Sequence, residues 1–357
     1  MIVRYLGLLI IGLGLACSAP KKPMIIEEVS ITRKTILPGP EYLSQWNLFD
    51  GNLSSLQPAQ GVLPYDLNTP LFSDYADKLR FVKLPAGTKA QFRNQEVMDF
   101  PQGTILIKNF LYEKAQAGNS EKRKIIETRL LVHEATGWNA LTYVWNEGQT
   151  DAKIEIAGTT VPVRFNREGA EVMSINYSVP NLVQCKSCHE KGGRMTPIGP
   201  TVRQLNKEFA YDQGQVVNQI DRWKLLGMLE GVPTGTLPKL AVWNDKHTGT
   251  LSERARAWLE INCAHCHQSD GPAKNTGLYL TSYEKDAYRL GINKPPVAAG
   301  RGSGGLHFAV VAGQPGQSFL LHRISSTDPG VMMPELGRKL IHEEGVKLIE
   351  EWIMSLN

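Results

Sequence analysis

The chain has 357 residues, 42% hydrophobic and 21% charged, with a formal net charge of +4. That length leaves room for two or three domains, and so small a charge excludes a nucleic-acid footprint or a polybasic tail. The 33 Gly and 21 Pro favour a loop-rich architecture over a helical bundle.

The N-terminus reads MIVRYLGLLIIGLGLAC. One Arg precedes an apolar run from Tyr5 to Ala16, too short to span a bilayer and of the length of a signal-peptide core. The stretch resembles a bacterial lipoprotein signal, which implies lipidation of Cys17, although Gly14 stands where Leu is usual and Leu13 lies one place further back. A plain secretory signal cleaved nearby is the alternative. Both imply export, and any membrane association would be through the lipid anchor alone. Residues 18–45 are polar and unpatterned and read as a tether.

From 46 to 178 the pattern is strand-like. Thr104–Phe110, Ile125–Val132 and Leu141–Trp145 are β-branched and aromatic runs separated by turn residues such as Gly103 and Gly137. Ile154–Gly158 and Val161–Phe165 read as a hairpin. A β-sandwich-like domain or open barrel fits these runs. Tyr65–Tyr75 concentrates Asp, Asn, Tyr and Phe, and reads as an ordered loop or a cleft lining. No nucleophile–base triad, P-loop or dinucleotide fingerprint is present.

Two motifs follow. Cys185-Lys186-Ser187-Cys188-His189 and Cys263-Ala264-His265-Cys266-His267 both read C-x-x-C-H, the attachment signature of c-type haem. Two thiols at this spacing suit two porphyrin vinyl groups, and the adjacent histidine suits the iron. The expectation is two covalently bound haem c groups on Cys185, Cys188, Cys263 and Cys266. His189 and His267 are the expected proximal ligands, while His265 fills a variable position. A thioredoxin-like dithiol lacks its βαβ context, and a four-cysteine zinc site lacks its short spacing.

Leu251–Glu260 reads as a helix capped by Ser252, with Leu251, Ala255, Trp258 and Leu259 as its apolar stripe. Glu343–Ile353 reads as a closing amphipathic helix. With the second motif between them, residues 251–357 have the layout of a class I cytochrome c. Met333, just before Pro334, is the expected distal ligand of the second haem, with Met332 as second choice and His307 and His322 as further alternatives. For the first haem region, residues 179–250, the distal ligand stays open among Met195, Met228, Met173, Met98, His133 and His247, or an empty position. The stretch before Cys185 shows no helical pattern.

Leu63–Tyr75, Phe100–Thr104, Glu127–Leu131, Trp145–Ala152, Pro197–Pro200 and the two C-x-x-C-H motifs together resemble an uncharacterised family of exported bacterial diheme c-type cytochromes. The resemblance spans 60–357. The C-terminal part, including Pro315, Arg323 and Met333-Pro334, also resembles planctomycete-type cytochrome c domains. The resemblance implies haem binding and electron transfer in the cell envelope, with redox partner proteins and no nucleic acid. The expected fold class is multidomain α+β: a β-sandwich-like domain, then a mainly α-helical cytochrome c region with two haem sites. An electron carrier is expected more than an enzyme. The alternatives are a peroxidase-like or small-molecule oxidoreductase with an open first haem, and a β-domain that docks a partner or a polysaccharide.

Overall fold

Six strands make the framework of the computed structural model, which describes residues 38–113, 123–167, 172–211 and 214–357. In chain order β1 is Val62–Tyr65, β2 Asp77–Lys83, the short β3 Ala90–Gln91, β4 Ile105–Glu113, β5 Arg123–Glu134, β6 Gly137–Trp145 and β7 Ala152–Ile154. All but β3 join one antiparallel sheet in the order β1-β2-β4-β5-β6-β7. Gly137, at φ 113, makes the tight turn between β5 and β6. The three β-branched runs read from sequence are therefore β4, β5 and β6, three of the four interior strands.

Side chains of period two divide the sheet into two faces. Ile105 and Ile107 of β4, Leu130 and Val132 of β5, and Leu141 of β6 pack on one face, against Leu43, Leu48 and Leu56 of the segment that precedes β1. Leu106 and Val82 lie on the other. They pack with Val202, Leu205, Ile220 and Trp223 from later in the chain.

The expected hairpin at 154–165 is corrected. β7 closes the main sheet by pairing with β6, Ile154 opposite Tyr143. β8 (Thr159–Phe165) pairs instead with β9 (Met173–Val179) as a separate antiparallel ribbon over Phe110, Tyr112 and Ile126. The edge of β6 offers a longer run of unpaired backbone groups than the short loop at 158.

α1 (Leu182–His189) follows, then β10 (Glu190–Lys191) and β11 (Arg194–Met195), which pair with each other. Next come α2 (Val202–Leu205), β12 (Glu208–Ala210), β13 (Val216–Asn218), α3 (Gln219–Leu225) and β14 (Leu229–Glu230). β12 pairs with β13, and β14 runs parallel to β3. The chain ends with α4 (Leu251–Leu259), α5 (Phe319–Ile324) and α6 (Glu343–Met354).

Both helices read at the C-terminal end are present. The cap of α4 is Thr250, not Ser252. The Thr250 side chain accepts from the Glu253 amide, and Glu253 accepts from the Thr250 amide at 2.8 Å, a reciprocal capping box. Ala255, Trp258 and Leu259 of α4 pack on Leu348, Ile349 and Trp352 of α6. Burial of each large side chain stabilises by about 1.5–3 kcal/mol. Gly345 lets the two helices close: a Cβ there would lie 2.4 Å from Trp258 Nε1.

The expected mainly α-helical cytochrome c region is corrected as well. The largest element is the antiparallel sheet, and the six α-helices of the described residues run from four to twelve residues. Between His265 and His342 the helical segments are α5 and single 3₁₀ turns. Pro295, Pro296, Pro315, Pro329 and Pro334 lack the donor a helix needs, and the many glycines there lose entropy in a helix. Pro38–Asn357 forms one unit. None of its helices is long and apolar enough to cross a membrane. The signal segment, Cys17 and most of the tether fall outside the described residues.

Candidate functional site

α1 carries the first C-x-x-C-H motif, and its start explains why no helical pattern precedes Cys185. Asn181 is the cap. Its side chain accepts from the Gln184 amide, and Gln184 Oε1 accepts from the Asn181 amide, both at 2.9 Å. Pro180 thus stands outside the helix, where its missing donor costs nothing. One helical turn then sets Cys185, Cys188 and His189 on one side. That side meets the second face of the main sheet and opens on a cavity of about 350 Å³, lined by both thiols and the imidazole.

The orientation of His189 is fixed. Its Nδ1 donates to the Thr196 carbonyl at 3.1 Å, which leaves Nε2 as the free nitrogen. Burial pushes its pKa down to about 4, and the nearby Lys108 and Arg129 push the same way. Burial raises the pKa of both thiols, against the pull of Arg129. Both cysteines are free, so the motif holds no disulfide.

The second motif is differently placed. α4 runs into a π-helical turn, Glu260–Ala264, that carries Cys263 into the C-terminal core. Buried Glu260 accepts from Arg203 Nε at 2.9 Å and from the Ser282 amide at 2.8 Å, anchoring this turn to α2. His267 Nδ1 lies 3.3 Å from Thr276 Oγ1. Burial raises the Cys263 and Cys266 thiols to about 12 and lowers His267 to about 4. Cys263, Cys266 and His267 do not line the large cavity; His265 does. Its Nδ1 is buried with no hydrogen-bond partner among the described residues.

Met333 lines the same cavity, whereas Met332 is buried in the core. Arg338 grips the Met333 carbonyl through Nε at 3.2 Å and Nη2 at 2.8 Å. Met333 therefore shares a cavity with the thiols and imidazole of the first motif, not with Cys263, Cys266 and His267 of the second, to which the sequence reading assigned it. Met195, Met228, Met173, Met98, His133 and His247 do not line it.

The expectation of two covalently bound haem c groups is overturned. The chain has five cysteines, and among the described residues no group of three or more His, Cys, Asp or Glu side chains is gathered to hold a metal ion. The cavity supplies the physical reason. It joins the thiols and imidazole of one motif with Met333 and His265, while the thiols of the other motif lie outside it. The first motif passes a narrower test, because two thiols, a histidine with its Nδ1 engaged and an open volume meet at one place.

Sequence reading missed the sheet wall of this cavity. Arg80 of β2 stands directly opposite Lys108 of β4, and Lys108 directly opposite Arg129 of β5. All three line the cavity. Arg129 donates through Nε to Glu127 at 2.9 Å and also through Nη2, and Glu127 accepts from Tyr177 Oη at 2.5 Å. Arg80 Nη1 reaches Asp66 at 3.3 Å, and Asp66 is shared with Lys207 at 2.8 Å. Lys108 makes no hydrogen bond or ion pair with a described residue; its Nζ lies 4.8 Å from the Phe110 ring centre. Burial lowers its pKa well below the ordinary value, and Arg80, Lys78 and Arg129 add to the shift. The available signal was a charge at the inward parity of an apolar run: Lys108 in ILIKNF, and Glu127 with Arg129 in IIETRLL. Comparison with known proteins brings no further constraint: no protein family, no curated protein and no solved structure matches this chain.

Proposed function

We propose that this chain is an electron-transfer protein of the bacterial cell envelope, of the c-type cytochrome kind, with a single centre in the cavity of the first motif. The carrying observation is that Cys185, Cys188 and His189 line one cavity with Met333, while Thr196 occupies His189 Nδ1 and leaves Nε2 free. A c-type group held there would supply one-electron chemistry at its iron. The protein's part is structural. The cap at Asn181 fixes the helix that spaces the thiols, the Thr196 carbonyl sets the imidazole, and Arg338 holds the Met333 loop. The site is partly buried, Cys185 fully and Cys188 and His189 in part, and the degree of solvent exposure tunes a redox potential. The signal-like N-terminus supports export, with Cys17 as the proposed lipid site.

Mass spectrometry of the full chain, co-expressed with a cytochrome c maturation system, tests the reading. The expected result is a covalent mass gain with a haemochrome spectrum, abolished in Cys185→Ala/Cys188→Ala. No covalent gain, or a gain that survives loss of both thiols, would overturn it.

A further inference from the structure

Lys108, at the middle of the cationic row on the sheet wall, has no counter-ion among the described residues, while its neighbours Arg80 and Arg129 each have one. Residues directly opposite each other on neighbouring antiparallel strands hold their Cβ atoms about 4.5–5.5 Å apart, and like charges so placed repel. Here three cations fall in one such line across β2, β4 and β5. Two carboxylates answer them, and both are already engaged: Glu127 with Arg129 and Tyr177, Asp66 with Arg80 and Lys207. Phe110 offers its ring to Lys108 and to Arg129, whose Cζ lies 4.3 Å from the ring centre. That contact is weaker than an ion pair.

A second observation is independent of the charge count. Arg80 is 5% exposed, and its Nη2 has no hydrogen-bond partner among the described residues. A buried guanidinium nitrogen left unpaired is costly unless something in the cavity accepts from it. The remaining walls are partly apolar, with Leu131, Ile198 and Ile261 among them. Asp74, Glu96, Glu190, Glu260 and Glu335 also line the cavity, so an acid would be received at the cationic wall with its hydrophobic body on the apolar stretches, because guanidinium groups fit the planar carboxylate.

We propose that Arg80, Lys108 and Arg129 form a carboxylate-binding wall that receives the acidic group of an apolar-bodied ligand in this cavity. The inference stands on the sheet register and on the unpaired Arg80 nitrogen, and does not require the electron-transfer reading. The carboxylate has two chemical sources: a free organic acid, or the acidic side arms of a group attached at the first motif.

Benzoate is the probe, titrated calorimetrically into the full chain prepared without cytochrome maturation, with sodium chloride at equal ionic strength as control. The expected result is saturable binding and a raised melting temperature. Lys108→Met should bind benzoate about tenfold or more weakly. It should also melt at or above the parent temperature without benzoate, since a half-buried amine with no polar partner among the described residues is gone, and this shows that the variant folds. Lys108→Gln serves as a second variant with the same expected loss. The same titration on protein carrying a covalent group separates the sources. Binding lost there assigns the wall to that group's own carboxylates; binding retained assigns it to a free acid. If the chain without a covalent group shows no benzoate effect beyond chloride, or if both Lys108 variants bind as the parent does, the proposal is overturned. A missing mass gain at the thiols would overturn only the electron-transfer reading.

Discussion

Replacing Glu127 by Gln isolates the electrostatics on which the cavity wall depends. The Glu127 side chain is 0% exposed and that of Arg129 28%, so solvent screens this pair little. Burial acts against the Arg129 charge, and Glu127 more than offsets it, holding the guanidinium above its ordinary pKa. Gln keeps the shape and one acceptor oxygen but removes the negative charge. Arg129 then faces Lys108 across the strand pair with no counter-ion, and Lys108 faces Arg80. Breaking a fully buried pair from one side costs about 3–5 kcal/mol, and the partial exposure of the surviving Arg129 puts the loss here at about 2–3 kcal/mol. Urea unfolding followed by circular dichroism should show a loss of that size at unchanged slope. The double variant Glu127→Gln/Arg129→Met should recover most of the loss, since no orphan charge remains. A single-variant loss below about 1 kcal/mol, or a double variant whose losses simply add, would refute the assignment of Glu127 as the charge that makes the wall tolerable.

Three further outcomes are expected. His342 Nδ1 accepts from Trp258 Nε1 at 2.9 Å, and burial lowers its pKa to about 4, with Lys78 and Arg167 adding to the shift against Glu344. Its unfolded value is about 6.5, so between these values the unfolded chain binds a proton the folded chain does not, and stability falls as pH drops from about 6.5 to 4 by up to about 1.4 kcal/mol per pH unit. His342→Phe, which keeps the stack on Phe72, should flatten that part of the stability–pH curve; an unchanged slope contradicts the assignment. Gly345→Ala should destabilise by about 1–3 kcal/mol in urea melts despite the better helix former, because its Cβ meets the Trp258 indole. A gain in stability would show that α4 and α6 can part without cost. Thr250→Ala should cost about 1 kcal/mol through loss of the α4 cap, whereas Ser252→Ala should be nearly neutral; equal costs would return the cap to Ser252.

Local pattern carried much of the architecture. The β-branched and aromatic runs around Ile107, Leu130 and Tyr143 announce strands, and the stripe of Ala255, Trp258 and Leu259 announces a helix. The failures were matters of partnership. Ile154 was a strand residue in either reading, yet whether β7 pairs forward or back depends on which edge lies nearer in space. α1 is too short to show a full apolar period, and its cap sits behind a proline that reads as a break. The number of centres failed for the same reason, because thiol spacing says nothing about the room in front of the thiols.

The C-x-x-C-H spacings, the export-like leader and the inward parity of Lys108, Glu127 and Arg129 belong to the sequence alone. Each is set by residues within a few positions of one another. That Met333 and His265 face the cavity of the first motif, and that Arg80, Lys108 and Arg129 fall in one line, was decided only by the tertiary structure. Strand register is a long-range property: a slip of one residue between β2 and β4 would turn Arg80 away from Lys108, and no local pattern in either strand records where the other lies.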